Sequence, residues 1–268
     1  MRFTRHWAFV VVVAVVMSLP SYAARADMVD QLDLRSDDFT KADVTRQDVL
    51  TAIARAGPNG IADFSGRRLN GLDLSGLDLR RLKLQAARIN GTNFSGSDLE
   101  GVVLDQAWGL KSDFSKADLK GSSLFATQLM DARLPGADFS RARVAADFSR
   151  ADLRGANFTG ANLSADMKNQ SMGLMRGVFK SSKLEGASFK DANLSRALME
   201  YASLRNADLS GADLSGSELA GADLTGANVA GANFNHADVT SAHLIALHGK
   251  AAARNFDRVQ NLDRAYLK

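Results

Sequence analysis

The chain contains no cysteine. That excludes a disulfide framework, a Cys-based metal site, a thiol nucleophile and a lipid-anchored leader ending in cysteine. Proline is scarce at three residues, and tyrosine and tryptophan number three and two among 268. Excess charge of one sign is also missing once the first residues are set aside. Arg2, Arg5 and Arg25 account for the formal +3, and without them 30 basic face 30 acidic residues. A balanced charge gives no electrostatic case for nucleic acid or an anionic membrane. Beyond residue 19 no apolar run is long enough to span a bilayer, which takes about 20 residues.

The first 26 residues read as a secretory signal: Arg2 and Arg5, then the apolar run Trp7 to Leu19, then Pro20 and the small-x-small pattern Ala24-Arg25-Ala26. The expected mature chain starts near Asp27, is exported, and has no membrane span. An uncleaved N-terminal anchor is the alternative. The bacterial periplasm comes first as compartment, with the extracellular medium and the thylakoid lumen behind it.

A period of five fills most of the remainder. Stepping by five from Phe64 reaches Leu69, Leu74, Leu79, Leu84, Ile89, Phe94, Leu99, Leu104, Gly109, Phe114 and so on to Val144; sixteen of these seventeen centres are apolar, Gly109 being the exception. One four-residue step leads to Phe148, Leu153, Phe158 and Leu163, another to Met167, and Leu174 restores the frame, which runs on to Leu244. Counting Met167 and Leu174 gives 37 units. A small residue lies two before the centre in 31 of them; Arg67, Leu72, Leu77, Leu82, Val102 and Met172 are the exceptions. Asp or Asn often precedes the centre and Gly often follows it by two, as in Ala207-Asp208-Leu209-Ser210-Gly211. A helix repeats every 3.6 residues and a strand every two, so a period of five requires a turn in every unit. Such units bury an apolar face only by stacking, as solenoids do.

Units such as ADLSG, ANFTG, ADLTG and ANFNH make residues 62–246 resemble the pentapeptide-repeat family, with its motif A-(D/N)-L-x-x. The resemblance implies an all-β, right-handed quadrilateral β-helix of about nine coils. At about 4.8 Å per coil that is roughly 43 Å long. Residues about 20 apart then stack, so Phe94 should sit on Phe114, and Phe139, Phe158 and Phe179 should form one column.

The implied domain plan is a signal peptide 1–26, an N-terminal segment 27–61 with a capping helix, the β-helix 62–246, and a C-terminal helical cap 247–268. The N-terminal helix is expected from Thr45 as N-cap to about Ala56, with Val49, Leu50 and Ile53 inward and Gly57-Pro58 as its stop. Phe39 and Val44 keep the five-residue spacing and read as part of an extra coil. Leu247, Phe256, Val259, Leu262 and Tyr266 suit one or two short helices over the last coil. A cap serves to cover an open end; a dimerising element is the other reading.

Motifs for catalysis are missing: no Gly-rich phosphate loop, no GxSxG, no HExxH. No residue is nominated as catalytic, cofactor-binding or metal-ligating. His236, His243 and His248 read as solvated surface residues. Met167, Met172 and Met175, in the interruption 167–176, read as gap fillers, with a soft copper(I) site as the rival. Asp78, Asp98, Asp118 and Asp138 form a column 20 apart. It reads either as repeat chemistry, each carboxylate accepting backbone N–H groups at a corner, or as a cation site or a mimic of the DNA phosphate line. Arg80, Arg81, Lys120 and Arg141 stand ready to neutralise it. Residues 67–88 are rich in Arg and Lys, and residues 205–244 in Asp and Glu.

The resulting expectation is an exported, non-enzymatic solenoid that acts as a rigid scaffold or protein-binding surface. Its protein partner is unidentified; a homodimer through a terminal cap is a second association, and no nucleic acid is expected as partner. The rival function is a DNA-mimicking inhibitor of a DNA-binding enzyme such as gyrase, which the family resemblance suggests and the leader and balanced charge oppose.

Overall fold

The backbone donors of one pentad explain the architecture. In Ala207–Gly211, the Ala207 N–H closes a turn onto the Leu204 carbonyl at 3.0 Å, and Asp208 N–H reaches back one coil to Ala187 at 2.9 Å. Leu209 and Gly211 N–H reach forward one coil to Asn228 and Ala230, at 2.8 and 2.9 Å. The fifth donor, Ser210 N–H, is taken by the Asp208 carboxylate at 3.0 Å. All five are satisfied, one of them only because Asp or Asn stands before the centre. The next turn, from Leu209 to Ala212, has the type II form, which requires a left-handed third residue. Gly211 supplies it with φ +70°, and a Cβ there would also collide with the Asp191 carboxylate.

The computed structural model describes residues 33–165 and 175–268. Within the unit Arg35–Lys268 the pentads stack as a four-sided parallel β-helix. Each side is a ladder of single parallel bridges formed by the residue before each centre. The first side starts with β1 (Ala62–Asp63) paired to β2 (Leu82–Lys83). Its ladder then passes through Val103, Ser123, Arg143, Asn162, Asn193, Asp213, Asn233 and Arg254. From Leu69 to Leu244, every described Leu, Ile, Val, Met or Phe centre is at most 3% exposed. The small positions lie beside them; at Ser97, Ser112, Ser122 and Ser182 the buried hydroxyl donates to the preceding centre's carbonyl at 2.6–2.8 Å. Gly109 is the centre without a side chain. Leu129 and Ile89 fill its space: a Cβ there would lie 2.9 Å from Leu129 Cδ2 and 3.2 Å from Ile89 Cγ1.

The aromatic columns correct the sequence count. Phe94 stacks on Phe114 at 4.8 Å as expected. Phe139 and Phe158 stack at 4.8 Å, but the third member is Phe189, at 4.9 Å from Phe158. Phe179 instead stacks on Phe148 at 5.2 Å and meets Phe158 edge-on. The reason is that Asn162 and Val178 are successive rungs around one coil, bridged to Arg143 and Asp147 respectively. Among the described residues no further rung lies between them, and the Gly177 N–H donates to the Leu163 carbonyl at 2.9 Å. The units placed at Met167 and Leu174, like Met172 and the signal peptide 1–26, lie outside the described residues.

At the N-terminal end, α1 (Asp37–Thr40) is a single turn and α2 (Arg46–Ala56) a full helix. Thr45 and Asp48 form a reciprocal capping box, and Gly57 ends α2 with φ +69°. Val49 and Ile53 are buried and Leu50 half-buried. Arg46 donates to the Asp73 carbonyl and Arg81 to that of Gly57, which ties α2 to the first coil. Of the extra coil expected here, Phe39 belongs instead to α1, whereas Val44 packs half-buried against the core and the neighbouring Asp43 N–H donates to the Arg68 carbonyl at 2.9 Å, without a ladder bridge among the described residues.

The C-terminal segment also departs from expectation. Instead of helices lying over the last coil, His248, Arg254, Gln260 and Tyr266 bridge to Asn228, Asn233, Asp238 and His243 and prolong the stack. Their spacing is six, and the extra residue on each side is taken up by one-turn 3-10 segments, Lys250–Ala252, Phe256–Arg258 and Leu262–Arg264. Phe256, Val259 and Leu262, three apart, imitate a helical face in sequence, but they pack against the solenoid core, Phe256 and Val259 between the rungs Arg254 and Gln260 and Leu262 beyond them.

Candidate interaction surface

The outward chemistry lies on the four ladders, whose side chains stand at fixed intervals along the axis. On the side that begins at Asp78 the rungs run Asp78, Asp98, Asp118, Asp138, Asn157, Ser188, Asp208, Asn228 and His248. Each of the four leading carboxylates accepts the N–H two residues on, from Arg80, Glu100, Lys120 and Ser140, at 2.9–3.3 Å. Cations straddle them in pairs. Arg80 reaches Asp78 at 2.7 Å and Asp98 at 3.1 Å, and Lys120 reaches Asp118 at 2.9 Å and Asp138 at 3.6 Å. The Arg80 hydrogen bond holds the Asp78 carboxyl down at about 2. At Asp138 burial pushes upward, but hydrogen bonds from Ser140 and Asn157 outweigh it and leave the carboxyl below its usual range. Further along, amides replace alternate charges, Asn157 donating to Asp138 at 3.1 Å and Asn228 to Asp208 at 3.0 Å. The column is therefore neutralised from within by the repeat's own hydrogen bonds and neighbouring cations. Arg81 is drawn away to Gly57, and Arg141 sits at a left-handed corner with φ +59°.

The basic start of the solenoid is paired with the chain's own acids. Arg67 meets Asp43 at 3.2 Å, Arg68 meets Asp38 at 2.9 Å and Lys83 meets Asp63 at 3.5 Å. At the acidic end Arg205 meets Asp223 at 2.9 Å. The three histidines are not brought together: His236 occupies a corner, His243 lies between Asp223 and Tyr266 on one ladder, and His248 ends another beside Asn228. Among the described residues no three His, Asp or Glu side chains converge as a metal would need, and no helix is long and apolar enough to cross a membrane. An open concavity of 390 Å³ lies between Pro58 and the Asp78, Arg80 and Arg81 side chains.

Sequence reasoning missed one feature, the outer face under residues 36–43. There the Phe39 ring meets Trp108 edge-on at 5.5 Å, and the Arg88 guanidinium lies 5.1 Å from the centre of the same ring. Asn70 Nδ2 donates to the Asp38 and Lys41 carbonyls at 3.0 Å each, and Asn90 Nδ2 to that of Phe39 at 3.3 Å. The available signal was Trp108 beside Gly109: a large aromatic in an outward rung next to the one centre that lacks a side chain.

Models of pentapeptide repeats match the chain in eight copies, over residues 62–96, 87–124, 112–144, 144–165, 178–216 and 202–240. The chain belongs to the pentapeptide-repeat family. The matches stop at 165 and resume at 178, on either side of the closed span. Among solved pentapeptide-repeat structures, full-length QnrB1, a plasmid-mediated fluoroquinolone resistance protein, is 19% identical, with 74% of this chain and 92% of that one covered at a TM-score of 0.54. HetL, involved in heterocyst differentiation regulation in the cyanobacterium Nostoc sp. strain PCC 7120, is 26% identical over 79% of this chain and 94% of its own, at a TM-score of 0.42. No curated protein sequence matches the chain. The pentapeptide-repeat fold is a right-handed β-helix, and the four-sided parallel stack described here is built on it.

Proposed function

We propose that this pentapeptide-repeat chain is an exported, non-enzymatic scaffold whose rigid outer faces bind a protein partner. The observation that carries the reading is the pairing of all five N–H groups in pentads such as Ala207–Gly211, around a filled core. A backbone so fully tied presents its rung side chains in one arrangement, and binding then costs little ordering entropy. The reading takes the solenoid as about nine pentad coils, covered by α2 at one end and by the six-residue coil at the other. Export follows from Arg2, Arg5, the run Trp7 to Leu19 and Ala24-Arg25-Ala26. The paired cations on the Asp78–Asp138 column count against a DNA mimic, which needs its charges free. Tyr266 and Leu267, 53% and 43% exposed on the last coil, make that end the first place to test for self-association, by sedimentation.

Fractionation of cells expressing the full chain with a C-terminal tag tests export. The expected product has the mass of a chain starting near Asp27 and lies in the exported fraction. A full-length chain confined to the cytoplasm overturns the export reading. Crosslinking in the exported fraction then tests the scaffold: a saturable crosslink to one defined protein supports it, and none at any rung position counts against it.

A further inference from the structure

We propose that the outer face formed by Arg68, Asn70, Arg88, Asn90 and Trp108 is a peptide-docking groove for a partner protein's acidic-aromatic Asp-Phe turn, and that residues 36–41 occupy it in cis. The inference rests on the scaffold reading and names one of its faces.

The groove holds its resident segment by contacts that any peptide of the same chemistry can reproduce. Arg68 pairs with the Asp38 carboxylate at 2.9 Å. Asn70 and Asn90 read main-chain carbonyls, those of Asp38, Lys41 and Phe39. These two amides are themselves fixed by the solenoid: Asn70 Oδ1 accepts the Asn90 N–H at 3.0 Å and Asn90 Oδ1 the Leu110 N–H at 2.8 Å. Trp108 and Arg88 close around one aromatic ring, edge-on and cation-to-face. Charge and ring position are thus specified by the rungs Arg68, Arg88 and Trp108, and main-chain direction by the corner residues Asn70 and Asn90.

The occupant, by contrast, is lightly held. α1 is one turn long and buries no residue. The Asp38 side chain is 62% exposed within its ion pair, where such pairs add little. The fit is also incomplete: Arg88 Nε is buried and finds no hydrogen-bond partner among the described residues. A buried donor left unpaired is costly, so a ligand that brings an acceptor to Arg88 Nε gains over the resident segment. A tethered weak ligand in a preformed groove is displaced by a better one presented at sufficient concentration.

Trp108 reports on the exchange, because Trp7 is the only other tryptophan. The test uses the full chain carrying Trp7→Phe, with and without Asp38→Ala and Phe39→Ala together, titrated with a synthetic peptide of residues 35–43. The expected result is a saturable change in Trp108 emission, at least tenfold tighter in the protein lacking its own Asp38 and Phe39, since the tethered segment no longer competes. The peptide with both residues replaced by alanine should bind at least tenfold more weakly. No saturable change, equal binding of the two peptides, or equal affinity for the two proteins overturns the proposal. Should the double variant lose its β-sheet circular dichroism, Phe39→Leu carries the same comparison. Failure here with export and partner crosslinking intact removes this face alone, and loss of those two removes the scaffold reading instead.

Discussion

The rung order across the closed span can be tested covalently, because the chain has no cysteine to interfere. Asn157 bridges Ser188, 31 positions on, whereas a sequence count that includes units at Met167 and Leu174 would place it beside Val178. Adjacent rungs of a parallel ladder are about 4.8 Å apart, inside the Cα range of about 4.4–6.8 Å that a disulfide accepts. Asn157→Cys with Ser188→Cys should therefore oxidise spontaneously within the folded protein. Asn157→Cys with Val178→Cys should not, since Val178 is a rung above Asp147 on another side. Closing a loop of this length removes chain entropy worth about 3.7 kcal/mol at the upper limit, and native strain reduces what is delivered. A gain of about 2–3 kcal/mol shifts the midpoint of thermal unfolding by roughly 5–10 °C for a chain of this size. Non-reducing electrophoresis, mass spectrometry and melts with and without reductant read both effects. Rapid crosslinking of the 157/178 pair, with the 157/188 pair inert, would refute the assignment of Phe189 rather than Phe179 to the column of Phe139 and Phe158.

Three further outcomes are expected. Thr45→Ala removes the capping box of α2 and should cost about 1 kcal/mol, seen as faster amide exchange in Arg46–Ala56 with the ladders unchanged; unchanged exchange in α2 would contradict it. Gly109→Leu makes the repeat more regular yet should destabilise by about 1–3 kcal/mol in urea unfolding, because Leu129 and Ile89 already hold that volume. Asp78, whose carboxyl is depressed from 3.8 to about 2 in the fold, adds stability that is present above about 4 and lost as pH falls through about 2. Carboxyl NMR should show that midpoint, and Arg80→Gln should move it back toward 3.8; a midpoint unaffected by Arg80→Gln would assign the shift elsewhere.

What was legible in the sequence is what the pentad dictates locally. Each centre must be large because it meets its counterparts near the axis, and each preceding Asp or Asn answers a specific backbone donor. These demands recur every five residues and so appear as a pattern. The Asp78–Asp138 column could be read as repeat chemistry for the same reason, since the N–H groups of Arg80, Glu100, Lys120 and Ser140 need those acceptors. The position of Phe179 was not legible. Nothing local says whether residues between Leu163 and Gly177 build a side or leave the ladder, because a methionine or leucine at the right spacing satisfies the pattern in either case. The six-residue coil was missed because Phe256, Val259 and Leu262 carry the spacing of a helix while their rungs, Arg254 and Gln260, are polar. The placement of Phe39 on Trp108 joins residues 69 apart by side chains alone, a contact with no periodic trace.

The corner at Leu163 and Gly177 has a practical consequence. The Gly177 N–H to Leu163 carbonyl bond closes the path before Val178 takes its rung, and Ala165 and Arg176 tie its two ends to Ser195, Arg196 and Glu218. An insertion or deletion between Ala165 and Arg176 should therefore leave the stacking of Phe148 on Phe179 and of Phe158 on Phe189 in place. A foreign epitope or sensor module joined between those two anchors should ride on the rod without altering its pitch.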